Sequence, residues 1–219
     1  MSELSTDVKA WFATPLASVS LPGHAALNHE LRNVFLSRED ESHRHHIRIP
    51  TQVGAVFESR FDLFEWPDAP IRTLSNFIHE ALSGMVASVN GYSGAEMEGF
   101  EFFYDSWFHI TRSAGYQSIH SHPNASWSGI YCVEPGDSPE DRPESGQVKF
   151  YDPRGAGPQM HFDPANRQLD PRFSTTPVYL THRAGQLVMF PSWLFHEVLP
   201  YHGQRERIVV AFNAWLEDA

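Results

Sequence analysis

Short apolar runs separated by turn residues fill the second half of the chain, whereas the first half carries longer helical patterns. Apolar residues at helical spacing predict a helix over residues 23–37 and a second one that begins near Thr73 and stops at Gly91. From Glu98 onward, Gly, Pro, Asn and Asp punctuate strand-like runs. The predicted strands cover residues 100–111, 116–122, 128–133, 147–151, 177–181, 186–190 and 207–215.

This order predicts a mainly β fold, a sandwich or barrel with the helices packed outside it. A further short strand is expected within residues 11–21, and the charged, His-rich stretch 38–48 has no apolar periodicity and is predicted to be a loop. Neither a repeat nor a linker divides the sequence. We therefore expect one domain over residues 1–219, with a helical and mixed part at 1–97 and the β core at 98–219.

Charge and composition narrow the choice of partners. Sixteen Lys and Arg against 27 Asp and Glu give a formal net charge of -11, which disfavours nucleic acid and anionic membrane surfaces. No apolar run approaches the roughly 20 residues of a membrane helix. The polar start of the chain and the single Cys132, which cannot form an internal disulfide, favour a cytoplasmic location. The oligomeric state stays open, with a homodimer among the options.

Two histidines within residues 115–131 (GYQSIHSHPNASWSGIY) are the first candidates for chemistry. Residues two apart on a strand face the same side, so His120 and His122 project together, and Asn124 continues that row. Two imidazoles on one inward face form a pair of metal ligands. The alternative is that both are hydrogen-bonded polar groups at a strand end.

A second block, residues 185–213 (GQLVMFPSWLFHEVLPYHGQRERIVVAFN), presents His196 after a Pro-containing turn. Arg207 opens the last strand eleven residues later. In non-haem iron oxygenases a His-x-Asp/Glu pair on one strand, a distant His on a later strand and an Arg on the strand after it form the metal ligands and the co-substrate clamp, and the order of the residues here is similar.

With these residues the sequence resembles the Fe(II)- and 2-oxoglutarate-dependent dioxygenases, most closely a bacterial group with an H-x-H-P-N…S-G-x-Y segment and an F-P-S-W-L-x-H-x-V-x-P block. The resemblance spans almost the whole chain, since residues 11–16 also resemble that group's opening strand. The matching positions are His120, His122, Pro123, Asn124, Ser128, Gly129, Tyr131, Phe190, Pro191, Ser192, Trp193, Leu194, His196, Val198, Pro200, Arg207, Phe212 and Asn213.

The resemblance implies a double-stranded β-helix, a cupin-like jelly roll with iron inside its mouth. It further implies Fe(II), 2-oxoglutarate and O2 as cofactors. The expected reaction couples oxidative decarboxylation of 2-oxoglutarate to hydroxylation, or a related C–H oxidation, of an unidentified small molecule or peptide.

One position departs from the superfamily, because His122 stands where most members have a carboxylate. Three interpretations follow: an all-histidine set of His120, His122 and His196, which we favour; a set in which His122 lies near the metal without binding it; or a carboxylate from elsewhere, with Asp152 as first candidate. A literal His-x-Asp pair at His161 and Asp163 lies in a Pro- and Gly-rich stretch and is disfavoured.

Arg207 is the candidate for the far carboxylate of 2-oxoglutarate, because its planar fork binds a carboxylate through two parallel bonds. By strand spacing it faces inward with Val209, Ala211 and Asn213. The alternative is a surface Arg paired with Glu206. Further candidates are the hydroxyl of Tyr131 for the same carboxylate, and Asn124 or Asn213 to orient the metal ligands.

Two rival functions remain at this point. A cupin-type metalloenzyme that does not use 2-oxoglutarate shares the jelly roll and the His-x-His pair, but cupins normally place a Glu a few residues after the pair, where this chain has none. The other rival is a non-catalytic jelly-roll binding module.

Overall fold

The computed structural model describes residues 9–10, 12–47, 50–155 and 168–219. The helices are α1 (His24–Ser37), α2 (Ala69–Asn90) and α3 (Gly94–Met97). The strands are β1 (Ala17–Ser20), β2 (Gln52–Val53), β3 (Val56–Glu58), β4 (Phe100–Thr111), β5 (Tyr116–His120), β6 (Trp127–Glu134), β7 (Val148–Phe150), β8 (Val178–Leu180), β9 (Gln186–Pro191), β10 (His196–Val198) and β11 (Arg207–Asp218). None of the helices in these ranges is long and apolar enough to cross a membrane.

The strands form two antiparallel sheets that face each other. One has six strands in the order β1-β9-β6-β11-β4-β3, and the other has five in the order β2-β5-β10-β7-β8. From β4 to β11 the chain passes repeatedly between the two sheets, as in a jelly roll. The predicted fold class, a mainly β double-stranded β-helix with flanking helices, is confirmed.

Most predicted elements are present with small shifts at their ends. Helix α2 begins at Ala69, earlier than predicted, because a proline in its first turn supplies the φ angle of a helix start. It ends where predicted, at Gly91, whose φ of 74° is the left-handed conformation that glycine adopts without strain. Strand β5 ends at His120, two residues before its predicted end. Of the strand expected within 11–21, only β1 is present, and Trp11 lies outside the described residues.

The six-stranded sheet has two different faces. One face packs on α1 and α2 through alternate residues such as Ile208, Val210 and Phe212 of β11, and forms the larger apolar core. Gly129 of β6 lies against the ring of Phe212, which leaves no room for a side chain at that position. The other face lines a cavity between the sheets.

Candidate functional site

Three histidines from the five-stranded sheet come together at one end of this cavity, which we call the triad end. His120 ends β5, His196 begins β10 directly opposite it, and His122 lies just beyond β5. One ring nitrogen from each lies within 4.8 Å of the others. The amide of His122 donates to the carbonyl of Ser192 at 2.8 Å, which fixes its backbone beside the turn before His196.

A β-bulge sets the direction of His120. Between the paired residues His196 and Val198 lies one residue, whereas between their partners His120 and Gln117 lie two. Because two residues oppose one, Gln117 and His120 both face the cavity although they are three positions apart. Bulges of this kind re-aim side chains next to functional sites.

Backbone carbonyls fix the ring orientation of two members of the triad. Nδ1 of His120 donates to the carbonyl of Ser118 at 2.7 Å, and Nδ1 of His196 donates to the carbonyl of Leu194 at 2.9 Å. A carbonyl only accepts hydrogen bonds, so the proton of each neutral ring is on Nδ1. In both rings Nε2 therefore has a free lone pair, the state that binds a metal ion.

The third ring has a different neighbour. Nδ1 of His122 lies 3.4 Å from the side-chain nitrogen of Asn213, whose oxygen accepts from the hydroxyl of Ser128 at 2.8 Å. That hydroxyl also contacts Ser192 at 2.8 Å. An amide presents either its oxygen or its nitrogen, and the hydroxyls of this network serve either arrangement. The tautomer of His122 is therefore set by Asn213 and not by the backbone.

Burial keeps the three rings neutral. It lowers the pKa of His120, and it lowers the pKa of His122 to about 4, where the positive charges that His120 and His109 would carry add to the effect. Burial, followed by the charge of His120, also holds the pKa of His196 well below its usual range. Neutral imidazoles whose ring nitrogens converge fit a divalent transition-metal ion, and imidazole suits iron.

Arg207 defines the opposite part of the cavity, which we call the arginine end. The cavity has a volume of about 200 Å³, and Arg207, Val209, Ala211 and Asn213 of β11 all line it. Arg207 is 3% exposed. The surface alternative is wrong, because Glu206 pairs with Arg32 at 3.2 Å and Arg112 at 3.7 Å, and not with Arg207.

Three other candidates lie away from the cavity. Strand alternation turns Tyr131 to the helix side, where its hydroxyl donates to the side-chain oxygen of Asn28 at 2.6 Å, so the prediction that it contacts the co-substrate is wrong. Asn124 is exposed in the turn after His122 because β5 has already ended, and it does not extend the histidine row. Asp152 pairs with Arg154 at 2.5 Å along a separate groove and is not part of the histidine cluster. His161 and Asp163 lie outside the described residues.

Sequence reasoning missed a polar group in the cavity wall. Nε2 of His109 lies 2.7 Å from a carboxylate oxygen of Glu58, and Gln117 contacts the other ring nitrogen at 3.0 Å. Burial alone would raise the pKa of Glu58, but its hydrogen bond to His109 and the charge of that ring lower it. The only signal in the sequence is a polar His109 within the apolar run 107–110.

The cavity thus places a histidine cluster that could hold a metal ion at one end and a buried cation that could bind an anion at the other. Residues 105–213 match the model of a family described as "Putative 2OG-Fe(II) oxygenase". A comparison with curated proteins finds no match.

Solved structures share the fold. A Pseudomonas putida prolyl-4-hydroxylase is 17% identical with a TM-score of 0.59, and the match covers 94% of each chain. HygX from Streptomyces hygroscopicus, solved with nickel and 2-oxoglutarate bound, is 13% identical with a TM-score of 0.55, over 93% of this chain and 83% of HygX. A Trichoplax adhaerens prolyl hydroxylase, in complex with a peptide fragment of the hypoxia inducible factor oxygen degradation domain, is 12% identical with a TM-score of 0.53, over 91% and 83%.

The family match identifies the chain as a 2OG-Fe(II) oxygenase, an enzyme that uses Fe(II) and 2-oxoglutarate, and the solved structures share its fold. This finding favours the predicted dioxygenase over both the cupin-type enzyme and the non-catalytic module.

Proposed function

We propose that His120, His122 and His196 hold the Fe(II) ion and that Arg207 binds the far carboxylate of 2-oxoglutarate. One observation carries the proposal: converging neutral imidazoles and a buried guanidinium line the same cavity. With both groups bound, oxidative decarboxylation of 2-oxoglutarate to succinate and carbon dioxide would supply the oxidant for a substrate C–H bond.

The residues of the chain would contribute orientation and charge. The carbonyls of Ser118 and Leu194 keep the proton of His120 and His196 on Nδ1 and leave Nε2 available. Three neutral ligands leave a divalent ion its full charge, which strengthens its attraction for an anionic co-substrate. Arg207 then fixes the other end of the same molecule through parallel hydrogen bonds.

The substrate is proposed to be a small molecule or a peptide, oxidised by hydroxylation or a related reaction. The P. putida neighbour is a prolyl-4-hydroxylase and the T. adhaerens neighbour holds a peptide, whereas HygX has also been solved with hygromycin B. Both substrate classes thus occur on this fold. The cytoplasmic location, the single domain and the absence of nucleic-acid partners stay predictions from the sequence.

The test is an anaerobic titration of metal-free protein with Fe(II), with and without 2-oxoglutarate. A visible charge-transfer band that appears at one equivalent of iron, and only with 2-oxoglutarate, would support direct chelation of the co-substrate. Iron binding without the band would contradict the proposal and would favour the cupin-type metalloenzyme that does not use 2-oxoglutarate.

His122 variants separate the remaining interpretations of the triad. If His122 is a ligand, His122→Ala weakens iron binding and His122→Asp restores it, because a carboxylate at this position is the superfamily's usual ligand. Unchanged iron affinity in His122→Ala would instead support two histidine ligands, with His122 beside the metal.

A further inference from the structure

The guanidinium of Arg207 is buried without a carboxylate partner among the described residues. The hydrogen bond recorded for its side chain runs from Nη2 to Nδ1 of His182, at 3.4 Å. Buried arginines are normally paired with an acid, because an uncompensated charge in the protein interior is costly. A neutral partner in this place is therefore unusual and needs an explanation.

His182 lies in the turn between β8 and β9 and is 5% exposed. A guanidinium only donates, so Nδ1 of His182 accepts and the ring proton is on Nε2, which has no hydrogen-bond partner in the described part of the chain. Burial, with the charge of Arg207 as a second cause, lowers the pKa of His182 to about 3. The ring is neutral throughout the range in which the protein would work.

We propose that His182 is a positioning residue: it holds the Arg207 guanidinium through a neutral acceptor and so leaves the full positive charge free for the far carboxylate of the co-substrate. A carboxylate in the same position would hold the guanidinium equally well, but it would already neutralise the charge and compete with the incoming anion. The inference rests on the proposed function, which assigns Arg207 to that carboxylate.

Three substitutions separate orientation from charge. Oδ1 of an asparagine or aspartate is bonded to Cγ, as is Nδ1 of histidine, so His182→Asn keeps a neutral acceptor and His182→Asp puts a negative charge in its place. His182→Leu removes the acceptor. The measurements are the Kd of 2-oxoglutarate by calorimetry on protein loaded with Ni(II), and the Tm of the metal-free, ligand-free protein.

We expect His182→Asn to bind 2-oxoglutarate like the wild type. His182→Leu should bind about tenfold more weakly, the scale of a lost hydrogen bond to a charged group. His182→Asp should bind about a hundredfold more weakly, the scale of a lost charge pair. Its ligand-free Tm should nevertheless equal or exceed that of His182→Asn, because the new carboxylate compensates Arg207. A purely structural role for His182 would lower affinity and Tm together.

The matched control is His24→Leu. His24 packs on Gly185, which lies in the same turn as His182, but the hydrogen bond of Arg207 goes to His182 and not to His24. Equal affinity in the Asn and Asp variants would overturn the inference. If the Asp variant fails to fold, equal affinity in the Asn and Leu variants overturns it instead. Unchanged affinity in Arg207→Ala, or no 2-oxoglutarate binding by the wild type, would remove the proposed function itself.

Discussion

The triad end and the arginine end of the cavity differ in charge. At the triad end three rings carry no charge, and their orientation is set by hydrogen bonds to Ser118, Leu194 and Asn213. At the arginine end one permanent charge is buried with a neutral neighbour. On the proposed function the first end would receive a cation and the second an anion. A ligand that bridges the two must therefore be negative at both ends, with one end bound through a metal.

The largest effect is expected at the triad end. His196→Ala removes a proposed direct ligand, and we predict that it abolishes stoichiometric Fe(II) or Ni(II) binding. Metal analysis of purified, reconstituted protein measures this, with the exposed His79→Ala as control. Retained stoichiometric metal would show that the ion binds elsewhere.

The next effect concerns the arginine end alone. Arg207→Ala should leave metal affinity unchanged and weaken 2-oxoglutarate by about 2–5 kcal/mol, the scale for truncating one partner of a buried charge pair. Calorimetry on Ni(II)-loaded protein gives both values. A parallel loss of metal affinity would mean that the two ends are not independent.

A smaller effect tests how the third ring is oriented. Asn213→Asp presents only acceptor oxygens to Nδ1 of His122, which keeps the ring proton on Nδ1 and should retain or strengthen metal binding. Asn213→Leu should weaken it about 10- to 100-fold, as for lost partners of metal-bound histidines. Competitive titration with a chromogenic chelator measures both. No change in either variant would favour the interpretation in which His122 does not bind the metal.

The smallest effect is the share of the pH-dependent stability that His122 contributes, next to that of other buried histidines such as His182. In the unfolded chain the pKa of each histidine is about 6.5, whereas that of His122 is about 4 in the folded protein. As the pH falls below about 6.5, the unfolded state takes up protons first, so the free energy of unfolding of the metal-free protein decreases. Urea unfolding between pH 7 and pH 5 should show a shallower decrease in His122→Leu. An equal slope would contradict this assignment.

The regular parts of the fold were predictable because their patterns are long. Strand β4 has the predicted bounds, and the last strand begins at Arg207 as predicted. The short strands β2, β3 and β10 were missed, since two or three residues are too few to establish an alternation and, unlike the equally short β7 and β8, these strands do not lie within a longer predicted run. They form through pairing with distant strands, which the sequence does not display.

Site residues that lie on the same strand were predictable from the alternation of side chains. Contacts between residues on different strands were not. The row of β11 residues that faces the cavity follows from the alternation of side chains along a strand. The same alternation turns Tyr131 of β6 to the helix side, and the prediction that it contacts the co-substrate did not take this into account. The pair of Glu58 and His109 joins residues 51 positions apart, and the contact of Arg207 with His182 joins residues 25 apart. Separations of this size leave no pattern in a single sequence.

The bulge in β5 is not required for strand pairing, but it determines how His120 is oriented in the site. With one residue fewer between Gln117 and His120, the strand would pair regularly and both side chains would still face inward. The strand pairing would be kept, but the bulged backbone that brings the carbonyl of Ser118 to Nδ1 of His120 would be lost. A deletion of Ile119, which is 49% exposed, should therefore give a protein that folds and binds metal poorly. The extra residue therefore serves the orientation of the His120 ring and not the stability of the sheet.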